Sequence, residues 1–589
     1  MSSDVVIRAP GPGWSGSLCL LAVATAVVGL PLVVGRALGG HDIVNYLIHA
    51  QQTAANLREG LIFPSWSGGY NAGFGSPVLL FFPPVTSFAG AAAVLAGIPV
   101  IFGVQWLALL AHLLSGVAAF AWLRSLGGDR AALAGAVVYM VAPYRLVDLY
   151  LRSALAEHWA FIWPPLILWA ALSASLRPAV RTAVVSLGVA GLLLSNVPLA
   201  VLFGLGLGAW YVVSSDLAGR RTVVAAGAAL GFGLAAFFLV PLAQSAALLD
   251  LDLCFGPAVP AFLPSSNTLF AGGFLDPEPG AVFSWLVLAS FALAAVAWSL
   301  LPGAVRATRS ARLTLLGAVL CLAATLGPVG PVWDAAPILA NLQFPWRVSA
   351  VLVLVAAAIV ARLPSRRAWI VVALSGVLAI PFSGWERTKE AAAFLGPEPA
   401  GRHPPGTIFP DPFTAWEAGS GGWYWRHHNL VELCLVPPSM PRALFREIAG
   451  AAEGAYDPIR GRPAVLLGQP ELPVRVLEWG QTRRRIEIDA RAGEMLMWRV
   501  LWFPAMRVSI DGEWCPVSVD ETTGLVVHFV PAGRHAVELV WVPYPSLRAA
   551  RLVSAASLAV LVSLLAWGCA SRTPKVREGL AGGIDEPGR

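Results

Sequence analysis

The chain has 589 residues, of which 57% are hydrophobic and only 13% are charged, and its mean hydropathy is +0.69. A soluble protein could not bury so much apolar surface, whereas a membrane protein with many spans could. The net charge of +6 does not indicate a nucleic-acid-binding protein, because the basic residues stand in short loops between apolar segments.

Thirteen apolar segments are candidates for crossing a bilayer, and the first of them, Leu18–Leu38, lacks a clear cleavage site and is expected to be retained. The short arginine-bearing loops between segments mark the cytoplasmic side by the positive-inside rule. From residue 124 onward, this places four longer loops on the outside, at 144–156, 248–280, 330–345 and 384–548. The candidate segments are 17–38, 77–97, 101–123, 131–149, 157–175, 180–197, 199–214, 222–247, 281–301, 312–329, 346–362, 368–383 and 549–569.

The loop after the first span opens with Gly40, His41 and Asp42. Apolar residues then recur near helical spacing with polar residues between them, which predicts a helix lying flat at the membrane surface. We expect Asp42 to cap its N-terminus, where free N–H groups and the helix dipole favour a carboxylate, and Gly60 to end it. An ordinary capped connector is the alternative.

This loop resembles the first extracytoplasmic loop of the GT-C superfamily of polytopic glycosyltransferases that use lipid-linked sugars. More narrowly, it resembles the bacterial membrane proteins labelled 6-pyruvoyl-tetrahydropterin-synthase-related and their YfhO-like relatives. That label implies no pterin chemistry. The motifs that carry the resemblance are Gly40-His41-Asp42, Glu59-Gly60, Pro64-Ser65-Trp66, Gly73-Phe74-Gly75-Ser76-Pro77 and Phe82-Pro83-Pro84.

The next apolar segment, 77–97, raises a problem of parity. If loop 39–76 lies outside like the other long loops, 77–97 and 101–123 cannot both cross the membrane. Because 77–97 is rich in Pro, Gly and Ala, we expect it to be a re-entrant or juxtamembrane helix. Twelve crossings then place both termini in the cytoplasm, and thirteen crossings with the N-terminus outside are the alternative.

A short stretch between two later spans contains five charged or titratable residues, which are costly near a bilayer unless they are paired or functional. Local pairing of Arg145 with Asp148 and of Arg152 with Glu157 would hold the loop at the lipid headgroups. Alternatively, the arginines bind a lipid phosphate and the carboxylates bind a metal or an attacking hydroxyl. An Arg-x-x-x-Ala-Glu signature of the same relatives falls here on Arg152, Ala156 and Glu157. The five residues are Arg145, Asp148, Arg152, Glu157 and His158.

The motif at 343–347, Gln-Phe-Pro-Trp-Arg, opens a late span and is similar to a motif of the same relatives. Arg347 at the outer edge of that span could bind a phosphate or pyrophosphate group. The alternative is an aromatic anchor in the membrane interface with a snorkelling arginine.

The region 384–548 has a soluble composition, and its second half alternates apolar and polar residues with a period of two. Asp511-Gly512 and Ala532-Gly533 supply turns. This pattern predicts a small antiparallel β-sandwich. The relatives share a Phe-Pro strand start with a following Asp-Gly turn, and a Pro-x-Gly-x-His turn, which here begin at Phe503 and Pro531.

The predicted fold is an α-helical polytopic membrane protein of about 12–13 transmembrane helices, GT-C-like, with a C-terminal extracytoplasmic β-sandwich before the last helix. Its predicted parts are a transmembrane domain with its outer loop 39–76, a soluble domain, a last transmembrane helix and a cytoplasmic tail. These cover residues 1–383, 384–548, 549–571 and 572–589.

The resemblance implies a glycosyltransferase of the bacterial plasma membrane, active on the extracytoplasmic side. It would transfer a sugar from a polyprenyl-phosphate-type lipid donor to a glycan or protein acceptor. Asp42 would take the acceptor hydroxyl proton, or would bind a divalent metal such as Mg or Mn beside Glu157, so that both count as catalytic. The substrate-binding residues would be His41, Arg145, Arg152, His158 and Arg347.

Two other classes stay open. A transporter or flippase for lipid-linked glycans would need ionisable residues or broken helices at mid-membrane, whereas these spans look nearly free of charge. The second open class is a non-catalytic envelope scaffold whose β-domain binds a partner. The chain has no phosphate loop, no nucleotide-binding glycine fingerprint and no zinc-protease HExxH motif.

Overall fold

The computed structural model describes residues 14–63, 65–68, 70, 75–246, 263–271, 282–340, 342–382, 384, 388–390, 462–521, 523–542 and 544–570. Within this part, the chain is mostly helical, with a β-sheet region before the C-terminal helix. The helices of ten residues or more are α1 (Trp14–Val28), α2 (Ile43–Arg58), α3 (Pro84–Leu95), α4 (Val100–Leu123), α5 (Asp129–Val141), α6 (Trp163–Leu172), α7 (Pro178–Ser195), α8 (Val197–Val213), α9 (Arg221–Ser245), α10 (Val282–Ser299), α11 (Arg309–Ala323), α12 (Ser349–Val360), α13 (Ser365–Ala379) and α14 (Pro545–Ala570). Shorter helical turns cover Leu30–Val33, Val78–Leu80, Pro143–Leu146, Val147–Arg152, Leu155–Ala160, Ser215–Leu217, Pro264–Asn267, Gly303–Arg306, Gly327–Val329, Gly330–Ala335, Pro337–Ala340, Pro345–Val348 and Ile380–Phe382.

Six helices of the described part are long and apolar enough to cross a membrane, or up to eight if each of two bent helix pairs is one span. Both bends come at breaks in predicted spans: Asp129–Val141 meets Pro143–Arg152 at 43°, and Arg309–Ala323 meets Gly327–Ala335 at 80°. These helices fit a multi-pass membrane protein, while the twelve or thirteen crossings stay a prediction. The six are Val100–Leu123, Leu155–Leu172, Pro178–Ser195, Arg221–Ser245, Val282–Ser299 and Pro545–Gly568.

The first predicted span is wrong at its C-terminal end. Helix α1 ends at Val28, and Gly35 takes a left-handed conformation with φ +91 that few other residues adopt. The chain then forms strand β1 (Arg36–Leu38), which pairs antiparallel with β2 (Thr388–Glu390). The start of the first loop therefore lies beside the start of the C-terminal region.

Helix α3 agrees with the expectation that 77–97 does not cross the membrane fully. It has 12 residues, so it is about 18 Å long, against a hydrocarbon core of roughly 30 Å. It packs closely on α2. At Gly90 there is no room for a side chain, since an added Cβ would lie only 2.6 Å from the Ala50 Cβ. The close approach of two backbones explains the small residues at this contact.

Helix α2 forms where the sequence predicts it, but it does not lie on a surface. Gly60 ends it with φ +79, and the Leu61 N–H donates to the Asn56 carbonyl at 3.0 Å. Polar residues that alternate with the apolar ones, including His49 and Gln52, are buried as deeply as they are. The reason is that neighbouring segments supply their partners: the His49 Nδ1 lies 2.5 Å from the Tyr70 hydroxyl.

The predicted β-sandwich is confirmed over the described residues, as two antiparallel sheets around an apolar core that includes Trp498 and Phe503. One sheet has the order β3-β6-β10-β9 and the other β4-β5-β11-β7-β8. Asp511 and Gly512 both have positive φ in the β7–β8 hairpin turn, as a tight two-residue turn requires. The strands are β3 (Ala464–Leu466), β4 (Arg475–Trp479), β5 (Arg483–Ala490), β6 (Glu494–Leu501), β7 (Met506–Ile510), β8 (Glu513–Cys515), β9 (Ser518–Val519), β10 (Leu525–Val530) and β11 (Gly533–Trp541).

The β-sandwich packs directly on the first loop. The Trp66 ring stacks on Trp541 with centroids 5.0 Å apart, and the Trp541 indole N–H donates to the Ser65 hydroxyl at 2.9 Å. The Gln481 N–H donates to a Glu59 carboxylate oxygen at 2.9 Å, and its side-chain oxygen accepts from the Gly68 N–H at 2.8 Å. These buried contacts bring the loop and the sandwich to the same end of the helices.

A labelling experiment tests the predicted sidedness of this end. In a cysteine-free background, we expect Ile62→Cys and Arg475→Cys both to react with a membrane-impermeant thiol reagent in intact cells, because the two segments pack together and are predicted to lie outside. Ala307→Cys, in a predicted cytoplasmic loop, is the matched control and should react only after lysis. Reaction of only one of the first two would contradict the arrangement.

Candidate functional site

Residues 40–42 of the first loop are tied to the charged stretch 143–158 by hydrogen bonds that their backbone N–H groups donate. The Gly40 N–H donates to the Ser153 hydroxyl at 3.1 Å, and the Asp42 N–H donates to the Arg152 carbonyl at 2.8 Å. The His41 N–H donates to the Leu151 carbonyl at 3.2 Å. Two segments more than 100 residues apart in sequence thus form one site.

The stretch 143–158 is a buried run of helical turns, whereas the local-pairing alternative expected a loop. Val147–Arg152 forms a wide π-helical turn, and Ser153 then takes a left-handed conformation with φ 50. Such π turns often occur at functional sites. All five ionisable residues of this stretch are at most 4% exposed.

Glu157 is the centre of the cluster. Its Oε1 lies 2.8 Å from the Arg347 Nε and 3.0 Å from an Arg152 nitrogen. Its Oε2 lies 2.7 Å from the other Arg152 terminal nitrogen and accepts from the Tyr144 hydroxyl at 3.0 Å. Both oxygens of this carboxylate are therefore fully engaged by two guanidinium groups and a phenol.

Arg347 reaches Glu157 from a segment nearly 200 residues away. The turn Pro345–Val348 follows Gln343, which has φ 64, and it turns the arginine into the protein. The Arg347 Nη1 donates to the Leu342 carbonyl at 2.6 Å, so the guanidinium is held on two sides. Arg347 is thus a buried partner of Glu157, which contradicts the alternative of a snorkelling arginine.

Of the two predicted local pairs, only Arg152 with Glu157 forms as expected. The Asp148 Oδ1 accepts from Arg152 at 2.9 Å. The Arg145 guanidinium instead donates to the Ser115 hydroxyl at 2.9 Å and to the His112 Nδ1 at 3.2 Å, and it lies 4.0 Å from the centre of the Phe161 ring.

His112 is a member of the cluster that sequence reasoning missed. Its Nδ1 lies 3.3 Å from the Nε2 of His158, whose own Nδ1 is 4.0 Å from the Asp148 carboxylate. The one available signal was an ionisable residue within an apolar span. The expectation that the spans are nearly free of charge is wrong here, because Arg145 and Asp148 also lie within candidate spans.

Asp42 lies beside the cluster, but it forms none of the cluster's described ion pairs. It occupies the N-cap position of α2, yet its side chain makes no capping hydrogen bond, in contrast to the prediction. Its charge also acts on Tyr46: burial, followed by the charge of Asp42, raises the pKa of the Tyr46 hydroxyl well above its usual value. That hydroxyl accepts from the Ala156 N–H at 2.9 Å, next to Glu157.

The predicted metal role does not fit Glu157. A divalent cation needs free carboxylate oxygens, whereas both oxygens of Glu157 are bound and two cationic guanidinium groups stand beside them. Across the described residues, no group of three or more His, Cys, Asp or Glu side chains is arranged to hold a metal ion. We therefore assign no step to a metal.

No protein-family model and no curated protein matches the chain. Among solved structures, the arabinofuranosyltransferase AftD from Mycobacteria is similar at a TM-score of 0.40 and 16% identity, over 64% of this chain and 27% of that one. The Archaeoglobus fulgidus oligosaccharyltransferase is similar in its apo form at a TM-score of 0.37 and 13% identity, over 65% of this chain and 57% of that one. The Archaeoglobus fulgidus AglB bound to an inhibitory peptide and a dolichol-phosphate gives 0.35 and 12%, with the same coverage. This chain thus spans about a quarter to a little over half of their lengths, and similarities at this level carry no conclusion about activity.

Neutralising the central carboxylate should destabilise the protein. Glu157→Gln leaves two buried guanidinium groups short of their counter-charge, for which we expect a loss of about 3 kcal/mol in the free energy of unfolding. Thermal unfolding of the purified protein in detergent measures this loss. Glu487→Gln, which breaks a solvent-exposed pair with Arg534, is the matched control and should change stability by less than about 1 kcal/mol. Equal melting temperatures of the two variants would contradict the central role of Glu157.

Proposed function

We propose that this protein is an integral-membrane glycosyltransferase of the GT-C kind, which transfers a sugar from a polyprenyl-phosphate-type donor to an extracytoplasmic glycan or protein acceptor. One observation carries the proposal: the three segments that resemble that family come together around residues 151–157. They are the Gly-His-Asp start of the first loop, the Arg-x-x-x-Ala-Glu signature and the Gln-Phe-Pro-Trp-Arg motif.

Asp42 is the proposed general base. It is partly exposed, it is free of a capping bond, and it stands at a helix N-terminus whose dipole favours the ionised carboxylate. In the proposed step, Asp42 takes the acceptor hydroxyl proton while the hydroxyl oxygen attacks the anomeric carbon. The bond from that carbon to the donor phosphate breaks, and the lipid phosphate leaves with the electron pair.

The buried cluster supports this step through its charge. It contains three arginines and two carboxylates, so its formal balance favours an anion at its edge. Arg152 and Arg347 donate to Glu157 instead of pointing freely outward. We therefore propose that Glu157 is a positioning residue that fixes both arginines, and not a group that reacts with substrate. His41, Arg145 and His158 stay proposed substrate-binding residues.

A transporter or flippase of lipid-linked glycans is the second candidate. The observation in its favour is the buried row of ionisable side chains within candidate spans, from His112 through His158 to Asp148. Proteoliposomes separate the two: a transferase forms product from donor and acceptor on one side, whereas a flippase moves the intact donor without forming product.

Replacing the proposed base tests the transferase. Asp42→Asn should lower transfer roughly 10²–10⁴-fold, because a general base is removed. It should change stability by less than about 1 kcal/mol, because the lost carboxylate makes no capping bond. The measurement is the glycan profile of a deletion strain that expresses the variant, with membrane abundance checked. Asp129→Asn, which also stands at a helix N-terminus, is the control and should behave as wild type. Normal glycans from well-expressed Asp42→Asn protein would remove Asp42 from the mechanism.

A further inference from the structure

A cleft lies near the β-sandwich, at the same end of the helices. Its walls come from the first loop, α3, α9 and the start of α14. Its empty volume is about 470 Å³, which includes the solvent-filled space at its mouth. Most of its lining is aromatic or aliphatic, and the phenylalanines among its walls are Phe63, Phe82, Phe88, Phe237 and Phe238.

Two hydroxyl groups in this cleft have no partner. Thr53 is fully buried and Ser87 is 3% exposed, and neither hydroxyl forms a hydrogen bond within the part of the chain that the structure describes. The third hydroxyl in the cleft, that of Ser65, accepts from Trp541. A buried hydroxyl without a partner costs free energy, so a ligand that offers two acceptor oxygens here would relieve that cost.

Two helices that border the cleft have largely uncovered apolar surfaces. Only 28% of the α9 window and 11% of the α14 window is buried inside the protein. The two helices contact each other where the Phe237 N–H donates to the Ser554 hydroxyl at 2.9 Å. A ligand with a hydrocarbon chain can therefore enter from the bilayer.

A cation stands at the edge of the cleft. The Arg551 guanidinium lies 5.0 Å from the centre of the Phe63 ring, and its Nη2 donates to the Phe63 carbonyl at 3.3 Å. Its Nε is buried without a hydrogen-bond partner among the described residues. Arginines prefer the cytoplasmic ends of spans, so one at the predicted outer end, next to an apolar cleft, suits a lipid phosphate.

This phosphate position is distinct from the candidate active site. Arg551 contacts Phe63, beyond the C-terminal end of α2, whereas Asp42 stands at the N-terminal end of the same helix. The 16 residues of α2 separate the two points by about 24 Å. A lipid whose phosphate lies at Arg551 therefore cannot present that phosphate at Asp42.

We propose that this cleft binds a phosphoglyceride of the surrounding bilayer. Its phosphate pairs with Arg551, its two ester carbonyls accept from Thr53 and Ser87, and its first methylene groups pack among the phenylalanines. A polyprenyl phosphate lacks the ester carbonyls and would leave both hydroxyls unpaired. The site is a second lipid site, and the proposal does not depend on glycosyl transfer.

Native mass spectrometry of the full chain in detergent tests the proposal by titration with phosphatidylglycerol, its ether-linked analogue, a polyprenyl phosphate and inorganic phosphate. We expect phosphatidylglycerol to bind most tightly, and the ether analogue about fivefold more weakly for each lost hydrogen bond. Thr53→Val with Ser87→Ala should make the ester and ether lipids bind equally. A merely structural role of these hydroxyls would not remove that discrimination.

Charge is tested in parallel. Arg551→Gln should weaken phosphatidylglycerol binding about fivefold, whereas Arg534→Gln, an exposed arginine of the β-sandwich, should leave it unchanged. Equal binding of ester and ether lipids by the wild type, or tighter binding of polyprenyl phosphate, would overturn the proposal. So would binding unaffected by Arg551→Gln, or binding of inorganic phosphate alone. If the wild-type protein binds phosphatidylglycerol as expected but transfers no sugar, the result contradicts the proposed function and leaves the lipid site supported.

Discussion

The structure depends on the buried carboxylate of Glu157. It binds Arg152 in a two-pronged pair and Arg347 through a third hydrogen bond, while Tyr144 completes the set. Removing two cations and an anion from water is expensive, and only such saturated geometry offsets that cost. Because Arg347 comes from the start of a late helix, this one side chain fixes the spacing between distant helical segments.

The second constraint is the way that the first loop is held. Strands β1 and β2 join its start to the C-terminal region, and the β-sandwich packs on its end through Trp66 and Trp541. Helix α2 is thus fixed at both ends, with Asp42 beside the charged cluster and Phe63 beside the proposed lipid cleft. The sandwich therefore contributes to the candidate site by placing α2, although it lies outside the cluster itself.

The two ends of α2 lie near different sets of polar groups. At one end, Arg152 and Arg347 pair with Asp148 and Glu157, and the partly exposed Asp42 is beside them. At the other end, Arg551 has no carboxylate partner among the described ion pairs, and two buried hydroxyls lack acceptors. Buried polar atoms without a hydrogen-bond partner among the described residues occur at both ends, and the proposed lipid would supply partners at the second end.

Features that arise from local physics could be predicted from the amino-acid sequence alone. Apolar length indicated the spans, helical spacing placed α2, alternation indicated the β-sandwich, and Gly60 and Asp511-Gly512 marked turns that need positive φ. The family-like motifs pointed to Asp42, Arg152, Glu157 and Arg347, and of their contacts only the pairing of Arg152 with Glu157 was expected. Only the tertiary structure decided that Arg36–Leu38 is a strand, that Arg145 turns to His112, and that both oxygens of Glu157 are occupied. These outcomes depend on partners from about 30 to 350 residues away in sequence, where burial and charge pairing override local preference.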